Sequence, residues 1–367
     1  ASLDPAQTNT YGTLQLLSAL GDTLYTREQD NSLKPQLAAE QPQISDGGRT
    51  VTIPLRRDVL FHDGTRFDAE AMAFSLNRFL RIGIQSYVVG DRIQAIETPA
   101  SDVLRLRLSR PSSSLESLLT SPYLTPISPT AYANHKDRFL NDRFIGTGPY
   151  KLISFRATQQ RLVPFKRYWG APPSNAGLDM INLSNSTALF GALRSGEVDV
   201  LLSESIDEDQ RLALDRRADQ GLLLESSGPA LQIGYITFLS NAPPLLSKQV
   251  RQALVHSLDR SLISTRVSHG QRQPLRSLIP PSLQGGRQEP WPIYSPDRTR
   301  TLLRQAGYCQ GQPLELPLTY RSNVPSDRLM ALTWQAQLSR DLPDCIRLRL
   351  EGVESTTVYG YLGKGAF

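Results

Sequence analysis

The chain has 367 residues, of which 39% are hydrophobic and 20% charged, so it has the composition of an ordinary globular protein and the length of two or three domains. No run approaches the roughly 20 apolar residues of a membrane span, and the start, Ala1-Ser2-Leu3-Asp4-Pro5, lacks the basic head and apolar core of a signal peptide. The formal charge of +5 is dispersed singly or in pairs, as in Arg56-Arg57 and Arg216-Arg217, which excludes the dense basic patch of a nucleic-acid binder.

A cytoplasmic chain, or one relieved of its signal, is expected. Lysine is scarce: Lys34, Lys136, Lys151, Lys166, Lys248 and Lys364 are all there are among 40 basic residues, and no function follows from that bias. The two cysteines, Cys309 and Cys345, cannot form a Cys-only zinc site and are not spaced as CxxC. They are free thiols or one disulfide.

In chain order, residues 14–60 read as a helix and then strands. Gly47-Gly48 separates Ile44 from the alternating Val51, Ile53 and Leu55 and predicts a hairpin. Asp63-Gly64 marks a turn. Asp68 is an N-cap, followed by Ala69, Met72, Ala73, Leu76, Phe79 and Leu80 on one helical face. Residues 92–110 read as two strands, the second with arginines alternating with leucines. Gly146-Thr147-Gly148-Pro149-Tyr150 is a turn into a strand at Lys151–Phe155, with another strand at 161–166. A helix at 187–195 ends at Gly196, and a strand at Val198–Leu202 follows.

A further strand is expected at 231–239. Ser247 caps a helix carrying Val250, Ala253, Leu254 and Leu258. Ser295-Pro296 starts another helix, which Gly307 ends. Strand 314–320, helix 326–340 and strand 346–352 make a β-α-β unit, expected as a parallel pair with a right-handed crossover. The class is mixed α/β, without internal repeats.

Catalytic patterns are missing. His62, His135, His256 and His269 form no HExxH motif or close pair, so no metal site is expected. There is no GxSxG elbow and no P-loop. The glycines at 146–148 precede a strand, whereas a dinucleotide fingerprint opens a helix. The acidic cluster Glu204, Asp207, Glu208 and Asp209 runs into a helix, where the dipole favours acids at the N-terminus.

Several segments together resemble the family 5 extracellular solute-binding proteins, the peptide- and nickel-binding components of ABC importers. Leu3-Asp4-Pro5 resembles the family's opening. Leu37-Ala38 through Gly47-Gly48-Arg49-Thr50 resembles "LAESWEVSDDGKTYTF". Leu55 to Thr65 with Phe67-Asp68-Ala69-Glu70 resembles "LRKGVKFHDGTPFTAEDV", the most specific block. Gly146-Thr147-Gly148-Pro149-Tyr150 is similar to "GTGPY", and Tyr168-Trp169-Gly170 to "YWGG". Ala192 to Asp199 resembles "LQSGEVD", Val250 to Leu254 with Leu258-Asp259-Arg260 resembles "VRQAINYAIDR", and Leu302-Leu303 with Ala306-Gly307-Tyr308 resembles "LLAEAGY". Most of these residues are fold determinants, not site residues.

The resemblance implies a two-lobed periplasmic-binding-protein-like α/β fold of the class II type with an extra inserted subdomain. Residues 1–30 and 160–238 would form the core of lobe I, 31–159 the insert, and 239–367 lobe II. The family's pattern continues past Phe367, so lobe II is expected to be incomplete and the chain a fragment, with an exposed apolar face on residues 314–352. The implied function is capture of short peptides between the lobes, followed by delivery to a membrane ABC permease. Nickel chelates, opines or sugars are the relatives' alternatives. A monomer outside the cytoplasm is expected, with no cofactor, no metal, no nucleic-acid partner and no enzymatic activity. A ligand-sensing regulator built on the same fold and a hydrolase are the rival readings.

For the site, Arg321 matches the stretch where dipeptide-binding relatives carry an arginine that grips the ligand carboxylate. Thr10 and Tyr11 match a pocket loop of the first lobe, and Tyr235 lies on the strand expected to enter the hinge. If strands 314–320 and 346–352 are parallel neighbours, Cys309 and Cys345 sit at the same end of the sheet and can form a disulfide, as suits an oxidising compartment.

Overall fold

The computed structural model describes all residues except 1, 9–10, 184, 202–205, 227–232, 282–289 and 365–367. It is a mixed α/β structure in two compact units, Ala1–Asn182 and Leu183–Phe367.

The first unit opens with α1 (Tyr11–Leu20) and the short antiparallel pair β1 (Tyr25–Arg27) and β2 (Leu33–Pro35). β3 (Gln43–Ser45) and β4 (Thr50–Pro54) form the expected hairpin, with Ile44 opposite Val51. β5 (Ile93–Ala100) and β6 (Val103–Leu108) complete an antiparallel sheet in the order β3-β4-β6-β5. Leu104, Leu106 and Leu108 are buried, while Arg105 and Arg107 turn outward to Glu97 on β5. Alternation thus separates a core face from a solvated one.

α2 (Ala69–Ile82) covers the sheet with Ala69, Met72, Leu76 and Phe79, all buried in its core. The Asp68 carboxylate accepts the Ala71 N–H at 2.8 Å and caps the helix. Three one-turn helices follow: α3 (Tyr87–Gly90), α4 (Leu115–Leu118) and α5 (Pro129–Tyr132).

A second core lies under α1, where Leu16, Leu17 and Leu20 meet Phe144 and Leu162. Its sheet is β7 (Tyr150–Phe155), β8 (Gln159–Pro164) and β9 (Leu178–Ile181), antiparallel throughout. The boundary expected at 159/160 falls inside the β7–β8 hairpin, where Tyr150 pairs with Pro164. The turn at 146–148 is glycine-rich because of close approach. A β-carbon on Gly146 would come within 2.2 Å of the Phe144 ring, and one on Gly148 within 2.5 Å of the Leu20 backbone. Asp22 is buried beside this turn and accepts hydrogen bonds from Gln36, Thr147, Tyr168 and Trp169 at 2.9–3.1 Å. Burial holds its carboxyl above the usual range against those four donors.

The second unit contains α6 (Ser186–Ser195), α7 (Glu208–Asp219), α8 (Lys248–Ser257), α9 (Arg260–Ser268) and α10 (Pro296–Gln305). Gly196 ends α6 in the left-handed conformation. Asp207 and Gln210 close a capping box on α7, which accounts for the acidic residues there; Glu204 lies outside the described residues. Then come β10 (Leu314–Arg321), α11 (Pro325–Asp341), β11 (Ile346–Val353) and α12 (Ser355–Lys364). β10 and β11 are parallel, with Leu314 opposite Ile346 and Arg321 opposite Val353. Trp334, Leu338, Val250, Leu254 and Leu303 pack the core against Leu314, Leu316, Ile346 and Leu348. Buried Gln337 clamps the α8–α9 junction, donating to the Ser257 carbonyl at 2.9 Å and accepting the Asp259 N–H at 3.2 Å.

Two expected strands are not there. Residues 198–201 and 233–239 carry no strand; 202 and 231–232 lie outside the described residues. Side-chain alternation survives at 233–239, with Ile236 and Phe238 on the core and Tyr235 outside. A strand also needs a hydrogen-bonded neighbour, and among the described residues no strand pairs with either segment. Residues 183–238, placed with lobe I by the resemblance, supply helices and group with the second unit.

Candidate functional site

The parallel pair sets the geometry of the candidate site. Arg321 and Val353 end β10 and β11 side by side, and α11 and α12 begin within a few residues of them. Both helix N-termini therefore gather at the carboxyl end of the strands, where open α/β sheets place ligands. Asn323 ties the two turns together. Its Oδ1 accepts the Ser355 N–H at 3.1 Å and the Ser355 hydroxyl at 2.7 Å. Gly352 lies under Tyr320, so close that a β-carbon there would meet the phenol oxygen at 2.9 Å.

Arg321 is half-buried, and its guanidinium grips Asp327 in the first turn of α11. Nε donates to Oδ2 at 2.6 Å and Nη2 to Oδ1 at 3.1 Å. This is the two-bond fork by which arginine holds any carboxylate. An acid in the first helical turn also suits the dipole. The sequence placed Arg321 just beyond a strand, whereas it is the last residue of that strand, and it gave no role to Asp327, Asn323 or Ser355. A carboxylate six residues after an arginine, across a turn into a helix, is the signal that marks the pair.

Thr10 lies outside the described residues, and Tyr11 begins α1. Tyr235 is 72% exposed on an irregular stretch instead of a strand. Cys309 and Cys345 are joined by a disulfide with Cα atoms 4.2 Å apart, at the opposite end of β10 and β11 from Arg321. It bolts together the starts of the two strands, where the Leu314 N–H also donates to the Cys345 carbonyl at 2.8 Å. Among the described residues no three His, Cys, Asp or Glu side chains converge as metal ligands. No described helix is long and apolar enough to cross a membrane.

The description "bacterial extracellular solute-binding proteins, family 5 Middle" matches residues 32–367. The chain belongs to that family. Among curated relatives, this family 5 protein is 27% identical over 317 residues to the glutathione-binding protein GsiB of Shigella flexneri, covering 84% of this chain and 60% of that protein. It is 28% identical over 320 residues to GsiB of Salmonella paratyphi A, with the same coverage. The chain thus spans 60% of the length of these relatives.

Solved structures share the fold. A dipeptide-binding protein from Pseudoalteromonas sp. SM9913 in complex with Met-Leu has a TM-score of 0.83 at 24% identity, covering 100% of this chain and 76% of its own. The binding protein AgaA with agropinic acid from A. tumefaciens R10 has a TM-score of 0.84 at 22% identity, covering 100% and 73%. The family 5 chain therefore has the periplasmic-binding-protein fold.

Proposed function

We propose that this family 5 protein captures a short peptide, or a related small solute bearing a carboxylate, and delivers it to an ABC permease outside the cytoplasm. It does so as a monomer, without catalysis and without a cofactor. Its relatives include glutathione- and dipeptide-binding proteins, which supports a peptide-class ligand. The single observation that carries the reading to residues is the fork of Arg321 at the carboxyl end of β10, already holding a carboxylate.

In this reading the chain folds into two lobes that close on the ligand by a hinge. The ligand stabilises the closed state by its greater affinity for it. Arg321 takes the ligand carboxylate and Asp327 occupies the same fork until the ligand arrives. Thr10, Tyr11 and Tyr235 remain candidate contacts to the ligand.

Native mass spectrometry of the purified protein tests the ligand class. A co-purifying peptide or glutathione-like mass that leaves on mild denaturation supports the proposal. Titration calorimetry with glutathione, Met-Leu and a nickel–histidine chelate then ranks the classes. A preference for the chelate would overturn the peptide reading, and turnover of the peptide would overturn the binding reading.

A further inference from the structure

The scarce lysines are not spread evenly. Lys151 and Lys166, two of the six in the chain, line one half-open cavity of about 560 Å3 in the first unit. The cavity lies between the Asp63-Gly64 turn, the start of β7 and the chain that leaves β8. Arg167 lines it too, with its Nη1 3.6 Å from where a β-carbon on Gly64 would stand. Three cations therefore share one concavity.

None of the three has a carboxylate partner among the described residues. Elsewhere in this unit the surface arginines are largely paired: Arg57 with Asp102, Arg81 with Asp137, Arg107 with Glu97, Arg110 with Asp91, and Arg161 with Asp179. The one acid lining the cavity, Asp63, is already engaged by its own turn and by Ser128. It accepts the Thr65 N–H at 3.0 Å and the Ser128 hydroxyl at 2.6 Å.

His62 adds no charge. Its Nε2 lies 3.1 Å from the Gly148 carbonyl, to which it can only donate, which leaves Nδ1 as a bare acceptor with no partner. The ring packs edge-on against Phe165, centroids 5.1 Å apart. Burial holds it neutral, with a pKa of about 4. The lining therefore carries a net charge of about +2 near neutral pH.

We infer that this cavity is an anion site for a phosphate ester, its phosphate held by Lys151, Lys166 and Arg167 and its organic part lying on Val163 and Phe165. A phosphate offers three oxygens to donors arriving from several directions, and its double charge matches the excess of cations; a carboxylate offers two oxygens and one charge. The volume exceeds what a bare phosphate needs, and the apolar wall suits an organic substituent. The ester is a monoester, either a soluble one or the headgroup of a phosphatidic acid, since both present the same terminal phosphate. This site is separate from the proposed carboxylate fork and stands whether or not that proposal survives.

The test titrates the 367-residue protein with glycerol 3-phosphate by calorimetry, and in parallel floats it with phosphatidylcholine vesicles that contain or lack phosphatidic acid. The proteins compared are the wild type, Lys151→Ala, the double variant Lys166→Ala/Arg167→Ala, and Lys34→Ala as a charge control outside the cavity. Binding of glycerol 3-phosphate that falls about tenfold or more in the cavity variants, but not in Lys34→Ala, establishes the site for soluble esters. Flotation only with the vesicles that contain phosphatidic acid, lost in the same variants, establishes it for a lipid headgroup. No binding in either arm, or equal losses in Lys34→Ala and the cavity variants, overturns the inference. Lys34, Lys166 and Arg167 are exposed and Lys151 is half-buried, and unchanged thermal unfolding checks that each variant folds.

Discussion

The Arg78 guanidinium meets both carboxylate oxygens of Asp4, at 2.8 and 2.6 Å, with both side chains almost fully buried. Asp4 also accepts the N–H groups of Ala6 and Leu140, and Arg78 also donates to the carbonyls of His135 and Arg138. The pair fastens the N-terminal segment to α2 and to the chain after α5. Removing one partner strands a buried charge, so Asp4→Ala should cost about 3–5 kcal/mol in urea unfolding. Replacing both residues with apolar ones of similar size should cost less than either single change. A double variant worse than both singles would mean that the backbone contacts, not the ion pair, dominate.

His62 predicts an acid sensitivity of the first unit. Its folded pKa of about 4 lies below the ordinary 6.5, so the unfolded chain binds more protons between those values. Stability should therefore fall as pH drops from 6.5 towards 4, by about 2 kcal/mol at pH 5. His62→Gln keeps a donor for the Gly148 carbonyl and does not titrate. Unfolding midpoints measured at pH 7 and pH 5 should converge for this variant relative to wild type. An equal acid loss in both proteins would assign the effect to other groups.

The disulfide closes a separation of 36 residues between Cys309 and Cys345. In the chain-entropy account a loop of that size contributes about 4 kcal/mol. Reduction should lower the unfolding temperature of the wild type and leave Cys309→Ser/Cys345→Ser unaffected. Mass spectrometry without reductant should find no free thiol. Alkylation of the native protein at either cysteine would contradict the bond.

Arg321 and Asp327 give opposite expectations. Arg321→Ala should weaken a carboxylate-bearing ligand by about 2–5 kcal/mol, through loss of one partner of a charge pair. Asp327→Asn should tighten it, because the competing internal carboxylate has been removed. Calorimetry on the two variants separates the roles. Weakening by both would make Asp327 a support for the guanidinium instead of its competitor.

Local chemistry makes much of the fold legible in the sequence. The Asp68 cap, the Gly196 stop, the Ser295-Pro296 start and the hairpin at Gly47-Gly48 rest on residues within one or two turns of each other. The alternation of Leu104, Leu106 and Leu108 with Arg105 and Arg107 fixed which face of β6 is buried. The ordered family motifs reached the fold class because they are the turn and cap residues on which it depends.

What the sequence could not decide depends on distant partners. Residues 233–239 alternate as a strand does and 198–201 are apolar enough for one, but a strand forms only where another backbone offers its ladder, and that is a tertiary fact. The Asp4–Arg78 pair spans 74 residues and the gathering of Lys151, Lys166 and Arg167 beside the turn at Asp63 spans still more, so neither has a local signature. Arg321 was visible as a residue type suited to a carboxylate. That its fork already holds Asp327 was settled only when β10 delivered it to the first turn of α11. Periodicity and capping act between neighbours along the chain, whereas charge pairing and ladder formation act between neighbours in space, and only folding makes those the same.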